Sequence, residues 1–485
     1  MVHALAGAGA AVDDDAEVAM TLGDGDLLCH PMEVAEEGVV RGGEIVQGRD
    51  VLARQDEQME RRAGIDVADH DRVLVLVHAR RPCLAATDSA EEAVGHAFRL
   101  TVFGRHPQEY PEYSMDFGFT PEQELLRRTA RDLLTDRAPM ARVRQMIADD
   151  SGLDDADWRR MAALGWQGLV VPEQYGGAGL GLLELAIVLE EMGRALLPGP
   201  FLATTLAALA LVAGGSDAQR ARWLPRIGDG STRATFALVE ESGRWDPAAV
   251  AARAQSGGEA LVLSGTKRFV PEAAGADIIV CAVRRDDGAL ALVLVEAGAR
   301  GVTIAPLATM DRTRRVDDVV LDGVQVDAEQ VLPCDAATVA ARLLDRGRVM
   351  LAADMAGGAE RVLEMTVEYA KVRRQFGHAI GSFQAIQHQC ADMSVEVEKA
   401  KAATYYAACA DAEAAADAAL AAAQAKAIAG DAYRFVTARA IQIHGGIGFT
   451  WEHDVHLYFK RAQSGEMTFG DATSCRELAA QRLGL

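Results

Sequence analysis

The sequence is short of basic residues. Lys and Arg number 49 against 71 Asp and Glu, a formal net charge of −22. A surface that neutralises phosphates needs the opposite sign, so nucleic-acid and anionic-membrane partners are disfavoured. Cysteine pairs are also missing: Cys29, Cys83, Cys281, Cys334, Cys390, Cys409 and Cys475 are scattered, and no two stand in C-x-x-C spacing. That excludes a zinc ribbon and gives no disulfide framework. An odd, dispersed set suits a reducing cytoplasm. No apolar run reaches the length of a membrane span, and the start MVHALAGAGAAVDDDAEV has no basic stretch leading into an apolar core. Gly176, Gly177, Gly179 and Gly181 do not spell G-x-G-x-x-G, so they read as a turn rather than a phosphate loop. Apolar side chains, in contrast, make up 50% of the 485 residues, enough for large cores and two to four domains.

Residues 1–114 differ from the rest. Charges fall into their apolar runs without steady period, and only RVLVLVHA reads as a strand. At Met115 the text changes. Thr120, Pro121 and Gln123 form a helix start: N-cap, first-turn proline, and an amide three residues after the cap. Two readings of residues 1–114 stay open, a mis-assigned start upstream of Met115 and a real accessory domain. Residues 115–228 then read as helices, with Leu185, Val188, Leu189 and Met192 at helical spacing. Residues 229–335 switch to short strands with Gly, Asp and Pro between them. That spacing gives a compact antiparallel β-domain, and the absence of intervening helices disfavours a Rossmann sheet. Residues 336–485 return to long helices with short connections, the mark of a bundle, with close-packed alanine-rich helices that include a subunit interface. The expected class is therefore α+β, mainly α.

Two stretches carry chemistry. In EYAKVRRQFGHAIGSFQAIQHQCADM, residues 368–393, Arg373 and Arg374 end a helix beside Phe376-Gly377, and a new helix starts near Ser382-Phe383-Gln384. An arginine there can hold a pyrophosphate bidentately or satisfy the helix's last carbonyls. In IQIHGGIGFTWEHDVHLYFKRA, residues 441–462, Gly445, Gly446 and Gly448 let a ligand approach the backbone closely. His444, His453 and His456 invite a metal, but no third ligand completes a pattern such as H-E-x-x-H, and no metal is expected. Near the end, MTFGDATSCREL sets Asp471 among small residues, with Arg461 and Arg476 as the nearest opposite charges in sequence. Gly-Asp is common turn chemistry, so a plain loop acid is the first reading.

The combination R-x-x-F-G, F-Q, A-D-M and then Q-I-x-G-G-x-G resembles the acyl-CoA dehydrogenase family of flavoenzymes, over essentially all of Met115 to Leu485. The resemblance implies an N-terminal helical domain, a middle β-domain and a C-terminal four-helix bundle, with FAD between the β-domain and the bundle. It implies that Arg373 reaches the FAD pyrophosphate of a neighbouring subunit and that Phe376, Phe383 and Gln384 line the adenosine side. Gln442 to Gly446, with Gly445 and Gly446, would contact the cofactor across the dimer interface, and Thr473 would lie near the phosphates. Phe269-Val270-Pro271 stands where the family has Trp-Ile-Thr beside the flavin. Asp471 occupies the position of the catalytic base, usually glutamate. The other position the family uses for its base is Gly347 here, which cannot serve. Arg348 matches an arginine kept near the base and the substrate. The implied reaction is proton abstraction from an acyl-CoA thioester with hydride transfer to flavin N5. The implied acceptor is electron-transferring flavoprotein, and the implied assembly a homotetramer or mixed tetramer.

The departures are specific. The family's flavin loop, Thr-Glu-Pro…Gly-Ser-Asp, reads VEESGRWD here: Val239 replaces threonine and Trp245 serine, while Glu240 and Asp246 remain. Three readings follow: an acyl-CoA dehydrogenase using Asp471, a flavin oxidase of the same fold acting on a non-CoA substrate, and a half-site or non-catalytic subunit of a mixed tetramer. The acyl chain is not fixed; short, branched, long and steroid side-chain thioesters all fit.

Overall fold

The computed structural model describes residues 119–148, 152, 154–257 and 260–485, together with the backbone of seven short strands between Glu17 and Asp116. The chain divides into two units, residues 1–120 and 121–485. In the first, β1 (Glu17–Gly23), β2 (Asp26–Met32), β5 (Leu74–Ala79), β6 (Phe98–Phe103) and β7 (Met115–Asp116) pair antiparallel in the order β2-β1-β5-β6-β7. Strands β3 (Val40–Arg41) and β4 (Glu44–Ile45) pair with each other. Of these the sequence pattern revealed only β5. The expectation of an atypical leader over residues 1–114 falls mostly outside the described residues.

The second unit starts with helices. Helix α1 (Pro121–Arg137) begins one residue after Thr120, where the start signal sits. It is followed by α2 (Met140–Ala148), α3 (Asp155–Ala163), α4 (Leu182–Arg194), α5 (Phe201–Gly214) and α6 (Asp217–Gly228). The apolar stripe of α4, Leu185, Val188, Leu189 and Met192, is buried. A capping box between Ser216 and Gln219 fixes the start of α6.

A seven-stranded sheet follows, made of β8 (Ala234–Ala237), β9 (Arg253–Gly257), β10 (Ala260–Pro271), β11 (Ile278–Arg285), β12 (Leu290–Glu296), β13 (Val302–Pro306) and β14 (Val316–Asp327). Its order is β12-β11-β9-β10-β14-β13, with β8 on β11. The pairing is antiparallel except where β11 meets β8 and β9 in parallel, so the expected purely antiparallel domain is mixed at one strand. One core face takes alternate positions, with Cys281, Val283, Val293 and Val319 buried, while β11 and β12 are buried on both faces.

The last part holds α7 (Ala336–Val372), the two-residue strands β15 (Arg374–Gln375) and β16 (His378–Ala379), then α8 (Gln384–Ala412), α9 (Ala418–His444), α10 (Val455–Met467) and α11 (Ala472–Arg482). Asp335 caps α7 by accepting from the backbone N–H groups of Ala337 and Thr338. Helices α7, α8 and α9 pack on one another, and the short α10 and α11 pack on α9. The C-terminal helical domain thus has three long helices and two short ones.

Helix α4 lies against α7 at backbone distance. A Cβ on Gly193 would stand 1.9 Å from the Asp354 carbonyl oxygen, and one on Gly357 would stand 1.9 Å from that of Glu190. Only glycine fits such an approach. Gly357→Ala should force the helices apart and cost at least the ~1–3 kcal/mol of an overpacked core, read as a lowered urea midpoint with an unchanged slope. A buried ionic junction ties the same region together. Arg461 on α10 meets Asp354 at 3.2 Å, donates to Thr313 Oγ1 at 2.7 Å, and donates to the Leu197 carbonyl at 3.1 Å. Arg314 meets the same Asp354 at 2.6 Å. Helical domain, sheet and bundle are thereby fixed to one another around a cavity.

Candidate active site

At one end of α7 the chain folds a tight turn before α11. Phe469 (φ 60°) and Gly470 (φ 100°) are both left-handed, and the Phe469 ring is buried. A Cβ on Gly347 would meet that ring at 3.1 Å, so Phe469 fills the space a side chain at 347 would need. Arg348 is buried and already engaged. Its Nε donates to the Phe469 carbonyl at 3.0 Å, and its guanidinium meets Asp345 at 2.6 Å. The arginine expected to face substrate therefore holds the turn that carries Asp471.

Asp471 is the N-cap of α11. Its Oδ1 accepts from the Ser474 backbone N–H at 2.7 Å. These Ser474 hydrogen bonds hold its carboxyl below the usual carboxylate range, with Lys426 adding to the effect. The nearest opposite charges in sequence are occupied elsewhere: Arg461 is in the buried junction and Arg476 pairs with Asp431. Tertiary folding puts the buried Lys426 there instead. Its Nζ donates to the Glu466 carbonyl at 2.9 Å and to the Gly470 carbonyl at 2.8 Å. Sequence reasoning missed it. The signal was a lone cation in the alanine-rich AAAQAKAIAG, on a face that is otherwise apolar.

Desolvation pushes Lys426 from 10.5 down to about 8. Between those two values the unfolded chain binds the extra proton, so this residue's contribution to stability rises as pH increases from about 8 to about 10.5. In Lys426→Met that part of the rise should vanish. Comparing thermal midpoints of wild type and variant across this pH range checks it.

The crevice between sheet and bundle has its own occupant. Trp245 donates its indole N–H to the Met467 carbonyl at 3.2 Å, and its ring meets Phe469 edge-on at 4.8 Å between centroids. The acids retained in the same loop are committed to the β-domain. Glu240 accepts from the N–H groups of Ala251 and Ala252, both at 2.9 Å, and pairs with Lys267 at 2.6 Å. Asp246 accepts from the Ala248 N–H at 2.8 Å and meets Arg244 at 2.7 Å. Val239 is buried, and the Pro271 carbonyl accepts from Thr235 Oγ1 at 2.6 Å. A bulge between Lys267 and Val270 in the β10–β14 pairing turns Phe269 outward at φ 55°. Phe269 lines the cavity beside Trp245.

The second group of candidates lies at the far end of α7. Arg373 is exposed, and its guanidinium has no partner among the described residues; its backbone N–H caps α7 through the Tyr369 carbonyl, and its own carbonyl accepts from the Ile380 N–H at 2.8 Å. Phe376 is 90% exposed at φ 52° and meets Phe383 edge-on at 6.3 Å. Tyr369 stacks on His444 at 4.4 Å, which joins the end of α7 to the end of α9. Gln384, Gln442, Gly445 and Gly446 are all exposed there, and a Cβ on either glycine would meet nothing within 4 Å. His444 holds its ring through Nδ1 on the Ala440 carbonyl at 2.7 Å. Among the described residues no group of three or more metal-ligating side chains converges.

The fold does not bring the two groups together within a chain. Gly347 touches the Asp471 turn and Arg373 ends the same helix, about 39 Å further along at 1.5 Å per residue. Thr473 stays with Asp471, exposed on the first turn of α11.

Helical domain, sheet and helical bundle in this order define a family. The models for the acyl-CoA dehydrogenase N-terminal, middle and C-terminal domains match residues 120–231, 235–324 and 337–484. The chain belongs to the acyl-CoA dehydrogenase family of oxidoreductases. It is 38% identical over 344 residues to the acyl-CoA dehydrogenase IpdE2 of Mycobacterium tuberculosis, covering 70% of this chain and 91% of that protein. Among solved structures it is similar to a variant of the Tcur3481–Tcur3483 steroid ACAD, with 36% identity, a TM-score of 0.69, and 75% and 98% of the two chains covered. It is also similar to the ChsE4–ChsE5 complex from Mycobacterium tuberculosis, with 31% identity, a TM-score of 0.71, and coverage of 76% and 99%. No helix among the described residues is long and apolar enough to cross a membrane.

FAD, the family's usual cofactor, suits one group and not the other. The Arg373 end offers a cation with no partner among the described residues, open glycine backbone and exposed rings. The crevice offers buried Val239, a proline, and an indole already bonded across the gap.

Proposed function

We propose that this chain is one half of a two-chain acyl-CoA dehydrogenase site, presenting its Arg373 end to FAD held mainly by a partner subunit. The observation that carries the reading is Trp245, which bridges the chain's own sheet and bundle. When bound, FAD supplies the hydride and electron acceptor that no side chain provides. Arg373 would neutralise its pyrophosphate bidentately. Phe376, Phe383 and Gln384 would enclose the adenosine side, and Gln442 with Gly445 and Gly446 would give backbone approach. The proton acceptor for the thioester Cα–H would come from the partner, because Asp471 is committed as the N-cap of α11 and does not line the cavity. One of the similar structures is a complex of two named proteins, ChsE4 and ChsE5, and the other carries a double name, which supports a mixed tetramer. The steroid named for one of them supports a steroid-derived acyl-CoA as substrate, with electron-transferring flavoprotein as acceptor.

Asp471→Asn separates this reading from a complete site in which Asp471 is the base. Asparagine caps a helix as well as aspartate does, so stability should hold. In the assembled enzyme, flavin reduction by substrate should stay near the wild-type rate. A loss of about 10²-fold or more, the least a positioned base contributes, would restore Asp471 as the base.

A further inference from the structure

The carbonyls at the end of α10 are held by side chains from distant parts of the sequence. A helix's last carbonyls have no partner within the helix. Here Lys426 of α9 donates to that of Glu466 at 2.9 Å, and Trp245, from the loop after β8, donates to that of Met467 at 3.2 Å. In the turn that follows, Arg348 of α7 donates to the Phe469 carbonyl at 3.0 Å, and Lys426 donates again to that of Gly470 at 2.8 Å. One buried side chain thus staples residue 466 to residue 470. Between the stapled points lie the Met467 carbonyl that Trp245 bonds and the Phe469 ring that it meets edge-on. Phe469 sits at φ 60°, a strained conformation for a residue with a side chain, which persists only where its surroundings enforce it.

The geometry points to Lys426 as a positioning residue for the crevice: it acts through Trp245, holding Met467 and Phe469 where the indole closes sheet against bundle, and its charge sets how firmly. The inference rests on the reading of Trp245 as the residue that shuts the chain's own crevice to flavin.

The groups facing Lys426 are Cys475 of α11, Asp471 at its cap, Glu466 of α10 and Arg348 of α7. Burial keeps the Cys475 thiol above its usual range, and the Ser474 hydrogen bonds keep Asp471 below the usual carboxylate range. The Glu466 carboxylate accepts from Arg434 at 2.7 Å, and Arg348 also meets Asp345. Lys426 itself is brought down to about 8 by burial. A hydrogen bond from an ammonium is roughly twice as strong as one from a neutral amine. As pH rises through about 8 the staple therefore weakens, and the contacts of Trp245 loosen with it.

The test is fluorine NMR of the full chain carrying fluorotryptophan, with the Trp245 signal assigned by its loss in Trp245→Phe. In the wild type that signal should move as pH rises, with a midpoint at about 8. In Lys426→Arg, which keeps its charge throughout, it should stay where the wild type has it at neutral pH. In Lys426→Met it should be displaced already at neutral pH. FAD titrated into the same samples should bind the wild type about fivefold more tightly above the midpoint than below it, and Lys426→Arg equally at both. A wild-type Trp245 signal that does not move overturns the proposal with no variant needed. So does a shift that persists in Lys426→Arg, or a folded Lys426→Met whose signal matches wild type. A lysine that only satisfies helix-end carbonyls would change the melting temperature and leave Trp245 in place. A moving signal with FAD affinity unchanged would defeat the reading of Trp245 alone and leave the positioning role standing. A still signal in a chain that takes up FAD only after Trp245→Ser would defeat this proposal alone.

Discussion

Trp245→Ser should make the isolated chain take up FAD. In the wild type, a flavin entering the crevice must break the indole bond to Met467 and the edge contact with Phe469. Those are worth about 0.5–1.5 kcal/mol each. Removing them raises affinity by about tenfold to a hundredfold, and serine also restores a hydroxyl that the family keeps there. The substitution exchanges a half-buried indole for a small polar group, so some stability should be lost, less than the ~3–5 kcal/mol of a fully buried tryptophan. Flavin fluorescence quenching during titration with FAD reads the affinity. Equal binding by wild type and variant would mean that the indole does not guard the crevice.

Arg373→Ala should do the reverse in the assembled enzyme. Its guanidinium is exposed and unpartnered among the described residues, so the isolated chain should melt at the wild-type temperature. Against pyrophosphate the lost charge-assisted pair is worth about 1.5–3 kcal/mol, and FAD affinity should drop by about tenfold to a hundredfold. That combination, unchanged monomer stability with weakened flavin, is what a donated residue gives. A lowered melting temperature in the isolated chain would instead show that Arg373 serves its own helix end. Undiminished FAD affinity in the assembly would show that the pyrophosphate is held elsewhere.

The contacts around Trp245 and Arg373 differ in how far local sequence shows them. The start of α1 at Pro121, the buried stripe of α4 and the change to strands after α6 follow from local signals, because caps and period act over a few residues. The Arg373 end was equally legible, since helix end, glycine turn and next helix lie within one stretch. The crevice was not. Trp245 stood out as a substitution, but its bond to Met467 spans 222 positions. Phe469 filling the space above Gly347 and Lys426 gripping the Gly470 carbonyl likewise join distant segments. Asp471 matched the position of a base in the sequence, yet the structure uses it as the cap of α11, which only the backbone geometry shows. Arg348, expected near the base and the substrate, is buried with its Nε on the Phe469 carbonyl, a contact across 121 positions.

The most direct test is the visible flavin absorbance of this chain purified alone and incubated with excess FAD, before and after anaerobic addition of acyl-CoA. A site needing two different chains predicts a protein without stoichiometric flavin and no bleaching, with flavin appearing when the partner subunit is added. One tightly bound FAD per chain, bleached by acyl-CoA and no longer bleached in Asp471→Asn, would contradict the account and establish a complete site with Asp471 as its base.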